Sequence, residues 1–491
     1  MDWRIKSLDE ILATAERRSL PRSLGAARLL MLGVGAVIGT GIFVLTAAAA
    51  QKAGPGMMLS FVISGAVCAV TALCYAEFSS MAPVAGSAYT YAYAVYGEIV
   101  AWLVGWALIL EYAVASSAVS VGWSNYFVGG AARLFHITIP VALTKGYFAA
   151  SGGAVNLPAM FVAISCTMLL VIGTRESATF NAILVTIKLL ALAMFVVLAV
   201  PAAKSQNFQP LAPLGMSGVS AAAASIFFAY AGFDAVSTAA EETRNPQRNV
   251  PIALIGSLVI CTVFYLLVAA GEIGAVGAQP VFGTGGEALT PGTRTFAATC
   301  LASANQAKLV CSDEALAFVL NRIGHGVAAN VIGLAAFLSL PTVILVMLYG
   351  QTRLFFSMSR DGLLPPLLCR IHTRYKTPHV VTMITGCFVA LAAGLFPVGA
   401  LADVANSGTL FAFITVSMGM MILRLRDPTR IRSFRVPAIT IIGPLSVLGC
   451  AYLFWHLPLF TRTVFLAWTG AGLVIYMSYS YRRSAMTAER K

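Results

Sequence analysis

Charged side chains are scarce in this sequence: Asp, Glu, Lys and Arg make up 10% of it, against about 25% in a soluble globular domain. With 59% of the residues hydrophobic, that shortage excludes a water-soluble globule. A packed core alone cannot absorb so large an apolar surplus, so much of the surface has to face lipid. A cleavable leader is also missing. Residues 1–28 are polar and basic, and the first apolar run, Leu29 to Ala50, is too long for the hydrophobic part of a secretory signal. The nine cysteines have no metal-binding spacing. No Ser-His-Asp, Cys-His or metal cluster converges, so neither an enzyme nor a cofactor is expected. No loop is large enough to hold a basic nucleic-acid-binding face.

The charge that is present is placed with a bias. With the N-terminus in the cytoplasm, 23 Lys and Arg fall in cytoplasmic segments and 8 outside, with Lys188 inside a helix. They cluster in an N-terminal arm (Arg17, Arg18, Arg22, Arg28), from Arg370 to Lys376, from Arg424 to Arg435, and in the tail from Arg482 to Lys491. This is the positive-inside asymmetry of a multi-pass protein of the cell membrane, with both termini cytoplasmic. Six cysteines (Cys68, Cys74, Cys166, Cys261, Cys387, Cys450) lie in apolar runs, as small buried hydrophobes. Cys300 and Cys311 share one outward-facing loop, where a disulfide and two free thiols fit the sequence equally well.

A membrane span needs about 20 mostly apolar residues. On that basis the sequence predicts an all-α integral membrane protein with twelve transmembrane helices. They lie near 27–51, 57–81, 98–127, 156–174, 178–203, 217–242, 250–277, 326–358, 378–397, 401–424, 436–456 and 460–481. Residues 1–26 form a cytoplasmic arm, in which Ser7 and Glu10 have capping-box spacing. The tail is 482–491, and the longest loop, 278–325, faces outward.

Two spans share a peculiarity. The first contains Gly33, Gly35, Gly39, Thr40, Gly41 and Ile42, and the sixth runs Phe227-Phe228-Ala229-Tyr230-Ala231-Gly232-Phe233-Asp234. Close-set glycines favour local unwinding. Gly35 and Gly39 also fit a small-xxx-small packing face. However, the first and sixth positions are where a five-plus-five inverted repeat puts its discontinuous helices, which point to a transport site.

Three charges lie deep in spans, where they are costly and by default functional. Glu111 is about 20 Å along the third helix from Glu98, and Lys188 about 15 Å into the fifth; Asp234 follows the sixth-span break. A buried ion pair that only locks helices is the competing explanation. Glu98, Glu241, Glu242 and Glu272 fall near helix ends, with solvated or interfacial roles expected. Glu77 is intermediate, and His456 is expected to pack. Amides after a break, near Thr40, Gly41 and Ile42, attract an anion, and carbonyls at Phe228, Ala229 and Ala231 can accept from an ammonium. A ligand with both groups on one carbon is an α-amino acid.

The stretches GVGAVIGTGIFVL (33–45), CYAEFSSMAPVAGSAYTYAY (74–93), FFAYAGFDAVSTAAEETRNPQRNVP (227–251) and LYGQTRLFFSMSRDGLLP (348–365) resemble the cationic amino acid transporter family of the amino acid–polyamine–organocation superfamily. The resemblance implies inverted repeats over 27–203 and 217–424, each of five helices, then two extra helices over 436–481. It implies a substrate carboxylate at Gly39, Thr40 and Gly41, flanked by Ile38 and Ile42, and an amino group at Phe228, Ala229 and Ala231. Glu111 and Asp234 would line or brace the pocket. Lys188 matches a lysine whose ammonium stands where sodium-coupled relatives bind a cation. It argues against sodium and for protons, since such a lysine can gain and lose one during the cycle. Leu340 aligns with a position that is polar in arginine-selective relatives, which favours a small neutral substrate, although the two acids leave a cationic one open. Proton-coupled symport of an amino acid is the leading expectation, with an exchanger and an amino-acid-binding membrane sensor as alternatives. Membrane lipid and a small single-span accessory subunit are conceivable partners, while nucleic acid is not.

Overall fold

The computed structural model describes residues 5, 6, 8, 9, 24–82, 86–149, 152–173, 178–302, 305–375 and 377–484. The expected capping box at Ser7 and Glu10, the arm residues Arg17, Arg18 and Arg22, the turn 174–177 and the end of the tail lie outside them. Among the described residues every regular element is helical, and the only β pairs are isolated bridges, Leu24 with Thr243 and Phe282 with Ala288. Lipid leaves a spanning backbone no water to bond, so helices are what these apolar runs can form.

The main helices are α1 (Ala26–Val37), α2 (Thr40–Phe43), α3 (Leu45–Ala53), α4 (Met57–Met81), α5 (Ser87–Tyr96), α6 (Glu98–Phe135), α7 (Leu157–Ile172), α8 (Ala178–Ala199) and α9 (Gly215–Ile226). They continue as α10 (Ala235–Thr238), α11 (Pro246–Val276), α12 (Ala315–Arg322), α13 (Gly326–Arg360), α14 (His379–Leu395), α15 (Val398–Arg426), α16 (Ile439–His456) and α17 (Leu459–Ile475). Eight helices among the described residues are long and apolar enough to cross a membrane. Four shorter apolar ones accompany them: Ala26–Val37, Leu157–Ile172, Gly215–Ala229 and His379–Leu395. Large apolar side chains such as Leu190, Val197, Ile441, Leu448 and Leu466 are exposed along these helices, as a lipid-facing surface requires. Cys387 is exposed as well, which corrects its expected burial.

Packing divides the helices into two groups. In one, α11 lies against α1 and α4, and α9 against α3 and α4. In the other, α6 packs along α13, α7 and α14, and α7 packs on α14. Helix α8 touches both groups, through α1 and α11 on one side and α13 on the other. Pro341 interrupts the bonding of α13 because proline has no N–H to give the carbonyl four residues back, that of Phe337. The indole N–H of Trp123 on α6 takes that place, donating to the Phe337 oxygen at 2.9 Å. The carbonyl that proline leaves without its helical donor is therefore also a cross-link between α13 and α6.

The two faces of the bundle are tied differently. On the face carrying loop 278–325, Gln51 donates to the carbonyls of Val281 and Leu289 and accepts from the Val281 amide, each at 2.8 Å. Arg133 holds Glu314 in a two-point contact at 3.0 and 2.8 Å, and Cys300 and Cys311 form a disulfide. On the face carrying the chain ends, Glu77 is completely buried and accepts from Arg424 at 2.9 Å and from the Val436 amide at 2.7 Å, with Arg432 3.0 Å away. A buried carboxylate survives only with such pairing. Glu98, expected near solvent, is 2% exposed and accepts from Tyr93 and Tyr476 at 3.1 and 3.0 Å. It faces α17's extension rather than water, which corrects the expectation.

Candidate functional site

The two interrupted segments meet each other. After α1, Ile38 leaves the helical conformation (φ −74°, ψ 97°), and one turn, α2, precedes α3. In the second segment α9 passes into the 3₁₀ turn Phe227–Ala229, then through Gly232 at φ 104° to Asp234 and α10. A Cβ added to Gly41 would lie 2.3 Å from the Cα and 2.5 Å from the Cβ of Ala229. Only glycine allows that backbone approach. A Cβ at Gly232 would stand 3.1 Å from the Ala36 carbonyl oxygen, in a backbone conformation that side chains avoid. Gly39 differs: its Cβ would find nothing nearer than Val343 of α13, at an ordinary 3.5 Å.

A helix leaves its last carbonyls without intrahelical partners, and at the end of α1 side chains supply them. The Lys188 ammonium, fully buried on α8, donates to the carbonyls of Gly35 at 3.2 Å and Ile38 at 2.9 Å. A positive charge at a helix C-terminus also complements the helix dipole. The Tyr265 hydroxyl on α11 bridges the two breaks, 3.0 Å from the Val37 carbonyl oxygen and 2.7 Å from that of Ala229. Past the break, the Tyr126 hydroxyl donates to the Phe43 carbonyl at 2.8 Å. The amides of Thr40, Gly41 and Ile42 open α2, where helical geometry provides them no partner.

The second break is not simply open. The Phe228 carbonyl accepts from the Ala231 amide at 3.2 Å, and the Ala229 carbonyl takes Tyr265. Of the three carbonyls expected to await an ammonium, those of Phe228 and Ala229 thus already hold one bond each, leaving one lone pair apiece. For Phe228 turn geometry is the reason: a 3₁₀ turn bonds its own carbonyls to amides three residues on.

Ile38, Ile42, Phe228, Ala229, Ala231 and Leu340 are all buried, as are Gly39 and Gly41. Of Thr40 only the backbone is described. Leu340 and Val343 lie on α13 on either side of Pro341, and the aliphatic Val343 is what faces the first break at Gly39. Asp234 accepts from the Tyr112 hydroxyl at 3.3 Å. Glu111, next to Tyr112 on α6, is 1% exposed and lies within electrostatic range of Asp234. A Cβ at Gly408 would come within 2.7 Å of the Ala107 carbonyl oxygen and 3.3 Å of the Glu111 Cβ. Glycine there lets α15 close on the Glu111 turn. The two acids therefore share one buried polar cluster between α6, the second break and α15.

Tyr265, Tyr126, Tyr112 and Val343 escaped the sequence reading. Each is an unremarkable residue within an apolar run. The available signal, a hydroxyl where a span should be dry, marks many tyrosines here that do not touch the breaks.

The chain matches the amino acid permease family over residues 24–480. It is 42% identical to the branched-chain amino acid permease BcaP of Bacillus subtilis, over 99% of this chain and 98% of that protein. It is 39% identical to the methylthioribose transporter of the same organism, over 99% of each. Against the chloroplastic cationic amino acid transporter 9 of Arabidopsis thaliana identity is 34%, over 83% of this chain and 68% of that one. These matches run through both interrupted helices and the helices that hold them, and this chain belongs to the amino acid permease family of membrane transporters, which are not enzymes.

Proposed function

We propose that the protein carries a neutral L-amino acid with an apolar side chain into the cell, driven by protons and by alternating access at the two breaks. The carrying observation is the contact of the two broken segments at Gly41 and Ala229, with an ammonium, Lys188, bonded to the carbonyls that the first break releases. The substrate carboxylate takes the amides of Thr40, Gly41 and Ile42. Its ammonium takes the remaining lone pairs at Phe228 and Ala229 together with Ala231. The side chain lies toward Ile38, Ile42, Leu340 and Val343. An unpaired guanidinium would be expensive to bury there, which favours a neutral substrate. The name of the branched-chain permease relative is in keeping with an aliphatic one. Glu111 and Asp234 brace the pocket from the α6 side.

Lys188 is the coupling group. Protonated, it holds the Gly35 and Ile38 carbonyls; deprotonated, it loosens the end of α1. In this reading residues 27–203 and 217–424 are the inverted repeats, 436–481 the two added helices, and both termini lie in the cytoplasm, with loop 278–325 outside.

Uptake into proteoliposomes with and without an inward proton gradient tests this. The panel should hold leucine, alanine, arginine and methylthioribose, the last because of the second relative. Gradient-stimulated accumulation of the aliphatic amino acids is the expected result. Counterflow without accumulation would make the protein an exchanger, and binding without movement a sensor.

A further inference from the structure

Glu272 is a buried acid that the site above does not use. It lies one turn from the end of α11 on the face of loop 278–325, where a solvated carboxylate is expected from sequence; it is instead 0% exposed. One oxygen accepts from the Thr46 hydroxyl of α3 at 2.9 Å, and the other, Oε2, is buried without a hydrogen-bond partner among the described residues. Among the described residues no ion pair reaches it, and Tyr126 of α6, itself committed to the Phe43 carbonyl, is a titratable neighbour. Its cover is built from two pieces. Helix α3 holds Thr46, and the segment Leu309–Arg322 packs on both α3 and α11 while Glu314 pins it to Arg133 of α6.

We infer that Glu272 is an external-pH gate: neutral when α3 is seated on it, and able to ionise only when α3 moves away and admits water from the loop face. An ionised carboxylate with one hydroxyl donor and no cation cannot remain in a dry site, whereas the neutral acid can. Closing the loop face over a loaded site therefore requires a proton on Glu272. That proton is taken from the outer solution and returned to it when the face reopens. It gates the cycle without crossing the membrane, which distinguishes it from the proton assigned to Lys188. The inference rests on the alternating-access reading above.

The test is substrate exchange in proteoliposomes with the internal pH fixed and the external pH varied, comparing wild type with Glu272→Gln. Glutamine keeps the acceptor for Thr46 and cannot ionise. Wild-type exchange should fall roughly tenfold per unit of external pH beyond the midpoint set by Glu272, as for a one-proton requirement, and the variant should lose that step, keeping only the dependence that Lys188 contributes. A variant profile that overlays the wild-type one overturns the gate while leaving transport intact. Absence of exchange in the wild type would instead sink the transport reading itself. If Glu272→Gln does not assemble, Thr46→Val decides: removing the one donor moves the wild-type midpoint if Glu272 sets it, and an unmoved midpoint overturns the inference.

Discussion

The two interrupted segments, 38–44 and 227–234, meet at Gly41 and Ala229 yet are stabilised by different means. In the first, orphaned carbonyls are capped from outside, by the Lys188 ammonium and the Tyr265 hydroxyl. In the second, the backbone bonds mainly to itself, Tyr230 to Phe227 and Ala231 to Phe228, at 2.9 and 3.2 Å, with the Tyr265 hydroxyl added at Ala229. A break capped by a titratable side chain can be loosened by moving a proton, whereas one that closes its own turns cannot. In the proposed mechanism coupling falls to the first break and the second serves as a fixed platform.

The most severe way to break this comparison is to separate the two segments. Gly41→Val would drive a branched side chain into the Ala229 backbone, 2.3 Å from where its Cβ must be. Overpacking of that kind costs about 1–3 kcal/mol even where neighbours can yield, and backbone yields least. Uptake should be lost at wild-type expression, checked by labelled-substrate accumulation beside a binding assay. Full uptake would show that the segments need not touch.

Next is Lys188→Ala, which strips two carbonyls of their donor at a cost of about 1–3 kcal/mol for each group left unsatisfied. Accumulation driven by the proton gradient should vanish while counterflow persists. If accumulation in this variant still follows the pH gradient as in wild type, Lys188 is not the coupling group. Tyr265→Phe should act on both breaks at once, since one hydroxyl serves Val37 and Ala229. A KM raised roughly tenfold corresponds to about 1.4 kcal/mol; an unchanged KM would mean the bridge is dispensable. The mildest change is Gly39→Ala, because the added methyl meets only Val343 at 3.5 Å. Uptake of the smallest substrate should stay within about threefold, less than about 1 kcal/mol, while larger side chains are selected against. Equal losses for all substrates would place the side-chain subsite elsewhere.

How much was legible beforehand differs between backbone and side chains. The span Met57–Met81 was predicted to the residue, since Gly54, Pro55 and Gly56 mark its start and an apolar run its length. The discontinuities were legible because glycine clusters announce them. Lys188 was legible because a charge inside an apolar run has no cheap explanation. Tyr265 and Tyr126 were not, as a tyrosine in a span is ordinary until its hydroxyl is seen against a particular carbonyl. Glu272 was misjudged for a related reason: position near a helix end suggested water, but the covering segment Leu309–Arg322 is distant in sequence.

Composition and periodicity alone determined that this chain is helical, membrane-embedded and broken near Gly39 and Gly232, because lipid permits few backbone solutions and glycine weakens them locally. Tertiary structure alone decided which groups repair those breaks. Hydrogen bonds to orphaned carbonyls form at distances near 3 Å between residues 36 to 228 positions apart, and no local pattern in the sequence encodes that proximity.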